Sequence, residues 1–226
     1  MTYNIQGHAA GRDDRHIDEI ARLITATGPD VVCLQEVHCR TRRSGIDQAE
    51  ELSRLTGFAG VFGRSCSLAG GDYGNALLTR GEILGSEATL LPGRGEPRSI
   101  LRGDLRFGET DVAIYVTHLS AWGLLRRRSR LAQIASLSEV ISSSQHPRVL
   151  AGDFNIPPSA PEIRALTTST NLASAGDPGE PTYPRTRQRL DHVFCDARWR
   201  VLRSEVIQRG PSDHWPVLVE LELEDS

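Results

Sequence analysis

The apolar runs of this sequence are broken by polar residues of a consistent kind. Asn4 closes the first run, Glu36 closes "VVCLQE", His118 closes "AIYVTH", Asp153 and Asn155 follow "VLAG", and Asp213 and His214 stand just before "WPVLVEL". An apolar strand belongs in a core, so an acid or amide at its end is carried to a fixed edge of that core. Residues two apart in an extended chain share a face, so Asp153 and Asn155 are expected to point into one site while Phe154 packs the other way. Carboxylate and amide oxygens with few nitrogens and no thiolate suit a hard cation such as Mg²⁺ or Mn²⁺ rather than zinc. Such a site fits an anionic ester. A metal that neutralises charge developing on a phosphodiester lowers the barrier by several kcal/mol, and a positioned acid or base adds roughly 10²- to 10⁴-fold. No covalent nucleophile is required.

The elements that position these residues follow from the patterning. "MTYNI" reads as a strand. Asp13 and Asp14 precede a helix with Ile17, Ile20, Ala21 and Ile24 on one face, stopped by Gly28 and Pro29. "DVVCLQEV" is a buried strand, "GIDQAEELSRLTG" a helix closed by Gly57, and "FAGVFGR" and "YGNALLTR" are further strands. "RSILRGDLRF" and "TDVAIYVTHLSA" form a hairpin across a short Gly-containing turn, which excludes a purely parallel sheet. Residues 124–141 give the longest helix. The strand "RVLAGDFN", a short helix near 160–168, a Gly/Pro/Thr-rich loop over 174–186 and the strands "RLDHVFCD", "WRVLRSEVIQ" and "WPVLVELEL" complete a mixed α/β chain.

In order and spacing, "TYNIQG", "PDVVCLQEV", "YGNALLTR", "VTHLSAW", "LAGDFNIPP", "RLDHVF" and "PSDHWPV" resemble the motifs of the endonuclease/exonuclease/phosphatase superfamily, the DNase I-like metal-dependent phosphoesterases. The resemblance spans nearly the whole chain. It implies a four-layer α/β sandwich, two mixed β-sheets packed face to face and flanked by helices, with a divalent-metal phosphoesterase site at one end of the sheets. It also implies roles: Glu36 as principal metal ligand with Asn4 and Asp213 close to the same ion, Asp153 and Asn155 positioning the attacking water and a phosphate oxygen, and Asp191 orienting His214. His214 then either takes a proton from that water or steadies the phosphoryl oxygen, and the general base is left open between Asp153 and His214. His118 resembles a second active-site histidine that donates to the phosphate. Gln6 stands where some DNA-repair relatives carry an acid, which weakens a repair-nuclease reading.

Composition bounds the setting. The 226 residues, 38% of them hydrophobic, suit one domain spanning the chain, and a chain this long buries a core without staples. No apolar run reaches the ~20 residues of a membrane helix and no signal-peptide pattern opens the chain, so a cytoplasmic monomer is expected. Cys33, Cys39, Cys66 and Cys195 lack C-x-x-C spacing, which argues against a disulfide framework and a zinc site. Other polar residues have bland explanations. His192 adjoins Asp191 on a strand and faces away from it; His8, His16, His38 and His146 read as surface histidines; Asn75 either lines the site or caps a strand; Trp199 and Trp215 read as packing, with Trp122 a possible base-stacking exception.

The net charge of −3 argues against nonspecific coating of nucleic acid, yet all 26 basic residues are arginine and three groups adjoin the motifs. Arg40, Arg42 and Arg43 follow Glu36, Arg126 to Arg128 follow His118, and Arg185, Arg187 and Arg189 precede Asp191. As a rim they would favour a substrate rich in phosphate, a nucleic acid strand or a phosphoinositide. The leading expectation is a Mg²⁺- or Mn²⁺-dependent phosphodiesterase with nucleic acid slightly ahead of a phospholipid or small diester. A phosphomonoesterase acting on inositol phosphates and a non-catalytic binding module are the alternatives.

Overall fold

The computed structural model describes residues 1–6, 15–121 and 123–224. His8, Asp13, Asp14 and Trp122 lie outside the described residues. In chain order the elements are β1 (Thr2–Asn4), α1 (Arg15–Thr27), β2 (Val31–Cys39), α2 (Gln48–Thr56), β3 (Ala59–Leu68), β4 (Gly71–Thr79), β5 (Glu82–Leu91), β6 (Arg98–Phe107), β7 (Thr110–His118), α3 (Leu124–Ser142), β8 (Arg148–Asp153), α4 (Pro161–Thr170), β9 (Ala173–Ser174), β10 (Asp191–Cys195), β11 (Trp199–Val206) and β12 (Val217–Leu223).

The strands form two six-stranded sheets, ordered β11-β12-β1-β2-β4-β3 and β5-β6-β7-β8-β10-β9. Each is mixed: β1 pairs parallel with β2 and β7 with β8, while hairpin-type pairs such as β6 with β7 are antiparallel. Strand alternation explains the layering. In β7, Ala113 and Tyr115 face α3 and α4, while Val112, Ile114 and Val116 face the other sheet. In β2, Val32 and Leu34 face α1 and α2, and Cys33 turns inward. Both faces of these strands are buried, so the sequence shows unbroken apolar runs although side chains alternate between two cores. The result is helix, sheet, sheet, helix, the four-layer order.

Local chemistry fixes the ends of α2. Asp47 accepts at Oδ1 from the Glu50 N–H at 3.1 Å, and Gly57, at φ 74°, returns its N–H to the Ser53 carbonyl. The four cysteines are free, and among the described residues no helix is long and apolar enough to cross a membrane. Trp199 and Trp215 pack against the core between the sheets.

Three expectations need correction. β5 was not anticipated: its side chains are mostly exposed or half-buried, so no apolar run announces it, and its partner β6 supplies the pairing. His16 and His38 are buried rather than superficial. His16 Nε2 lies 2.7 Å from the Ile5 carbonyl, and His38 Nδ1 lies 2.8 Å from Thr41 Oγ1.

Gly152 shows why the strand before Asp153 carries a glycine. A Cβ there would stand 1.9 Å from the Thr117 carbonyl oxygen on β7, a backbone atom that cannot swing aside. Gly152→Ala is expected to destabilise by about 3 kcal/mol, the upper end of overpacking, measured by urea unfolding of the two proteins.

Candidate active site

Strand register lines up three of the polar residues across the second sheet. His118 on β7 pairs with Asp153 on β8, and Asp153 pairs with Asp191 on β10. The first sheet contributes Asn4, whose Nδ2 donates across the gap to Asp153 Oδ2 at 3.0 Å and to Glu36 Oε1 at 3.1 Å. One amide therefore joins two carboxylates on two sheets.

Glu36 does not end its strand. β2 continues to Cys39, and the ladder with β4 slips between Leu34 and Val37, so that Gln35 and Glu36 together oppose Asn75. Glu36 adopts φ 61°, left-handed backbone that a bulky residue avoids unless its surroundings hold it there. The bulge re-aims its carboxylate toward Asn4. Asn75 lies behind the bulge and is buried, donating to the Ser99 carbonyl at 3.1 Å. It joins the two sheets.

Asn155 shares the site with Asp153 by a route other than strand alternation. β8 stops at Asp153, whose Oδ1 accepts from the Asn155 N–H at 2.8 Å, and Asn155 takes φ 56°. This Asx turn brings the amide back beside the acid while Phe154 enters the core. Asn155 Nδ2 then donates to the Leu119 carbonyl at 3.1 Å and stands 3.0 Å from His118 Nε2.

His214 arrives on a loop clasped to β1. Ser212 Oγ donates to the Asn4 carbonyl at 2.7 Å and accepts from the His214 N–H at 3.2 Å. His214 Nδ1 lies 2.8 Å from Asp191 Oδ2, and its Nε2 lies 3.8 Å from Asp153 Oδ2. Tyr183 covers the ring at 4.9 Å between centroids, and Thr182 Oγ1 accepts from the Asp191 N–H at 3.1 Å. Asp213 is half-buried next in sequence. His192 turns to the other face, its Nε2 2.9 Å from the Ile156 carbonyl.

These surroundings drive the titrating groups apart. Burial, reinforced by the like charge of Asp191, pushes Asp153 up to about 7. Burial opposes the charged form of His214, yet the Asp191 and Asp153 carboxylates together push it up to about 10. His118 is held well below its usual range by burial, by Arg98 and by His214.

Two contributors escape sequence reading. Arg98, at the first residue of β6, is 8% exposed and reaches His118 Nδ1 at 3.0 Å; Tyr183 lies in what reads only as loop. A cavity of about 210 Å³ opens beside Glu36, His118 and Asn155, with Arg43, Tyr73, Glu96 and Arg98 among the other residues of its wall.

A hard divalent cation fits this donor set. Glu36 and Asp153 share one neutral donor, the Asn4 amide, which leaves surplus negative charge beside oxygen ligands. Asp153, Asp191 and His214 also bring ligand-type atoms within 4.8 Å of one another. There, however, the short contact between His214 and Asp191 already occupies Nδ1 and Oδ2, the mark of an oriented acid–imidazole pair rather than a coordination shell.

Comparison with known proteins bears on the family and the fold. The sequence pattern of the Endonuclease/Exonuclease/phosphatase family matches residues 1–214. Among solved structures, an endonuclease/exonuclease/phosphatase from Beutenbergia cavernae DSM 12333 is 26% identical, with 98% of this chain and 70% of that one covered and a TM-score of 0.82. The mannosyl-6-phosphatase Bt3783 of Bacteroides thetaiotaomicron VPI-5482 is 18% identical over 98% of both chains, TM-score 0.78. D. rerio TDP2, complexed with a single-strand DNA product, is 16% identical over 98% of this chain and 97% of its own, TM-score 0.80. No curated protein matches at the level of sequence. With the matched pattern running from the first residue to His214, the chain belongs to the endonuclease/exonuclease/phosphatase family.

Proposed function

We propose that this phosphoesterase-family chain is a divalent-metal-dependent hydrolase of phosphodiester bonds in which water attacks phosphorus directly. The observation that carries this reading is the convergence on Asp153 Oδ2 of Asn4 Nδ2 at 3.0 Å, His118 Nε2 at 3.5 Å and His214 Nε2 at 3.8 Å. Glu36, with Asn4 and Asp213, would hold Mg²⁺ or Mn²⁺, which when bound neutralises charge developing on the phosphate.

The chain's own groups divide the proton work. Asp153, raised to about 7, is matched to accepting a proton from water near neutrality, and Asn4 and the Asn155 N–H keep it oriented. His214, kept charged by Asp191, donates a hydrogen bond to the phosphoryl oxygen. This choice of Asp153 as base rests on the opposed environments of the two groups. Asn155 and His118 line the cavity wall where the phosphate oxygens would sit.

Nucleic acid stands slightly ahead as substrate, with a phospholipid or inositol phosphate as the alternative. One structural neighbour was solved with a single-strand DNA product and another is a mannosyl-6-phosphatase, so the fold alone does not choose the substrate. The arginines favour a polyanion in part. Arg42, Arg43, Arg185 and Arg187 are exposed, and Arg43 reaches the cavity. Arg189 does not belong to such a rim: it is buried, donating to the Glu180 carbonyl at 3.2 Å. Arg127 lies 3.7 Å from Glu162, and Arg126 donates to the Arg94 carbonyl.

The test is a panel of DNA, RNA, sphingomyelin, phosphoinositide and aryl phosphodiester substrates assayed with Mg²⁺ and Mn²⁺. Turnover confined to phosphomonoesters would overturn the diester reading. On a phosphate-rich substrate, kcat/KM is expected to fall steeply as ionic strength rises, and charge reversal at Arg42 and Arg185 together should flatten that slope. A salt-independent rate would place these arginines on an ordinary solvated surface.

A further inference from the structure

The two histidines that flank Asp153 are held by groups of opposite charge. His214 Nδ1 faces the Asp191 carboxylate, whereas His118 Nδ1 faces the Arg98 guanidinium at 3.0 Å. A guanidinium has five N–H donors and no acceptor, so this contact needs an unprotonated Nδ1 and leaves the ring proton on Nε2. A doubly protonated His118 would set two N–H groups against each other. Nε2 is the nitrogen directed into the site, 3.5 Å from Asp153 Oδ2. Asn155 Nδ2 also lies 3.0 Å from it, so donors face both ring nitrogens and only one of them can be accepted. The guanidinium is the charged donor and is anchored by Glu96, whereas the uncharged amide keeps the Leu119 carbonyl as an acceptor when its second hydrogen turns off the ring, which leaves the proton on Nε2.

Arg98 is built to hold this position. It is 8% exposed, its Nη1 lies 2.9 Å from Glu96 Oε1, and its Nε is buried with no hydrogen-bond partner. Nothing in its location on the first residue of β6 requires a buried cation for packing, and burying one is costly without a task. Donation from a fixed positive charge into Nδ1 withdraws density from the ring and strengthens the Nε2–H as a donor.

We propose that Arg98 is a positioning residue which holds His118 in the Nε2–H tautomer, making that ring an uncharged hydrogen-bond donor to a phosphoryl oxygen instead of an acid that gives up a proton. The catalytic part of the inference rests on the phosphodiesterase reading above; the tautomer does not. With His214 charged, the two rings then act differently on one phosphate, one as a cation and one as a neutral donor.

Nitrogen-15 spectra of histidine-labelled, metal-free protein at neutral pH test the tautomer without any substrate, His118 being assigned by the signals lost in His118→Gln. The expected spectrum has His118 Nδ1 unprotonated and Nε2 protonated. Arg98→Met is expected to redistribute the proton between the nitrogens, and Arg98→Lys, which keeps a cationic donor, to restore part of the original state. With bis(p-nitrophenyl) phosphate and Mn²⁺, Arg98→Met should lower kcat by about 10- to 100-fold with KM little changed. The same substitution should cost little more in a His118→Ala background. An imidazolium or an Nδ1–H tautomer in the unsubstituted protein would overturn the proposal, even if Arg98→Met failed to fold. A loss confined to KM, or one undiminished in the His118→Ala background, would also overturn it and make Arg98 a direct substrate contact. Absence of hydrolysis would remove the phosphodiesterase reading while the spectrum still decided the tautomer.

Discussion

Mg²⁺ or Mn²⁺ added to the metal-free protein is expected to switch on phosphodiester hydrolysis and to raise the midpoint of thermal unfolding, and EDTA to abolish both effects. The reason lies in the charge of the site. Glu36 and Asp153 meet at one Asn4 amide, and Asp191 sits beside Asp153 in cross-strand register. Three carboxylates are thus gathered around few positive groups. A cation bound only by the folded state at about 100 times its Kd stabilises by about 2.7 kcal/mol, which at roughly 2–4 °C per kcal/mol in a chain of this size is a rise of about 5–11 °C. Glu36→Gln should weaken this stabilisation most and shift the metal dependence of activity to higher concentration. An unchanged metal titration would remove Glu36 from the ion.

The same groups set a pH dependence for the metal-free protein. Asp153 lies at about 7 when folded against an ordinary 3.8, so the folded state keeps a proton that the unfolded chain releases first. Its contribution to stability is full below about 3.8 and is lost as pH rises through about 7. His214, at about 10 against 6.5, slopes the same way: its contribution is full below 6.5 and is lost as pH climbs through about 10. His192, lowered to about 4 by burial, slopes oppositely, its contribution being lost as pH falls below 6.5. Above pH 6.5 the first two dominate, so the metal-free unfolding midpoint should fall with rising pH. Metal stabilisation should grow over that range, because Asp153, once ionised, adds its negative charge to the surroundings of the ion. A midpoint that rises from pH 6.5 to 8 without metal would contradict this assignment of charge.

What the sequence discloses about this site is its chemistry rather than its aim. Asp153 and Asn155 stood out because they break an apolar run that packing alone would continue, and His214 because it stands just before one. The apolar runs disclosed only a mixed α/β chain; the four layers followed from the family resemblance, and the structure shows that alternate residues of those runs serve two cores. The rest depends on contacts distant in the chain. The bulge that aims Glu36 exists only in the pairing of β2 with β4, and the Asx turn at Asn155 departs from the alternation that the run "VLAGDFN" suggests. β5 carries no apolar run because little of it is buried, and its strand character comes from β6. Arg98 reads as one arginine among many until β6 and β7 pair and bring it 3.0 Å from His118.

His214→Ala is expected to lower kcat by at least ~10²-fold while leaving the fold intact, because it removes the positioned cation that the mechanism uses on the phosphoryl oxygen. The ring contacts Asp191, Asp153 and the face of Tyr183. Asp191→Asn should cost less. The amide has nearly the same shape, but it no longer supplies the carboxylate that holds His214 charged and fixes its Nδ1 proton. Since Asp191 acts through His214, the double variant should be little slower than His214→Ala alone. Asp153 adds a second consequence. Removing the Asp191 charge takes away the like-charge repulsion that helps lift Asp153, so the ascending limb of the kcat profile should move to lower pH in Asp191→Asn. Circular dichroism and thermal unfolding of each variant separate lost chemistry from lost structure. Losses that multiply in the double variant, or an ascending limb that stays in place, would show that Asp191 and His214 do not work as a pair and that Asp153 is not the group whose ionisation limits the rate.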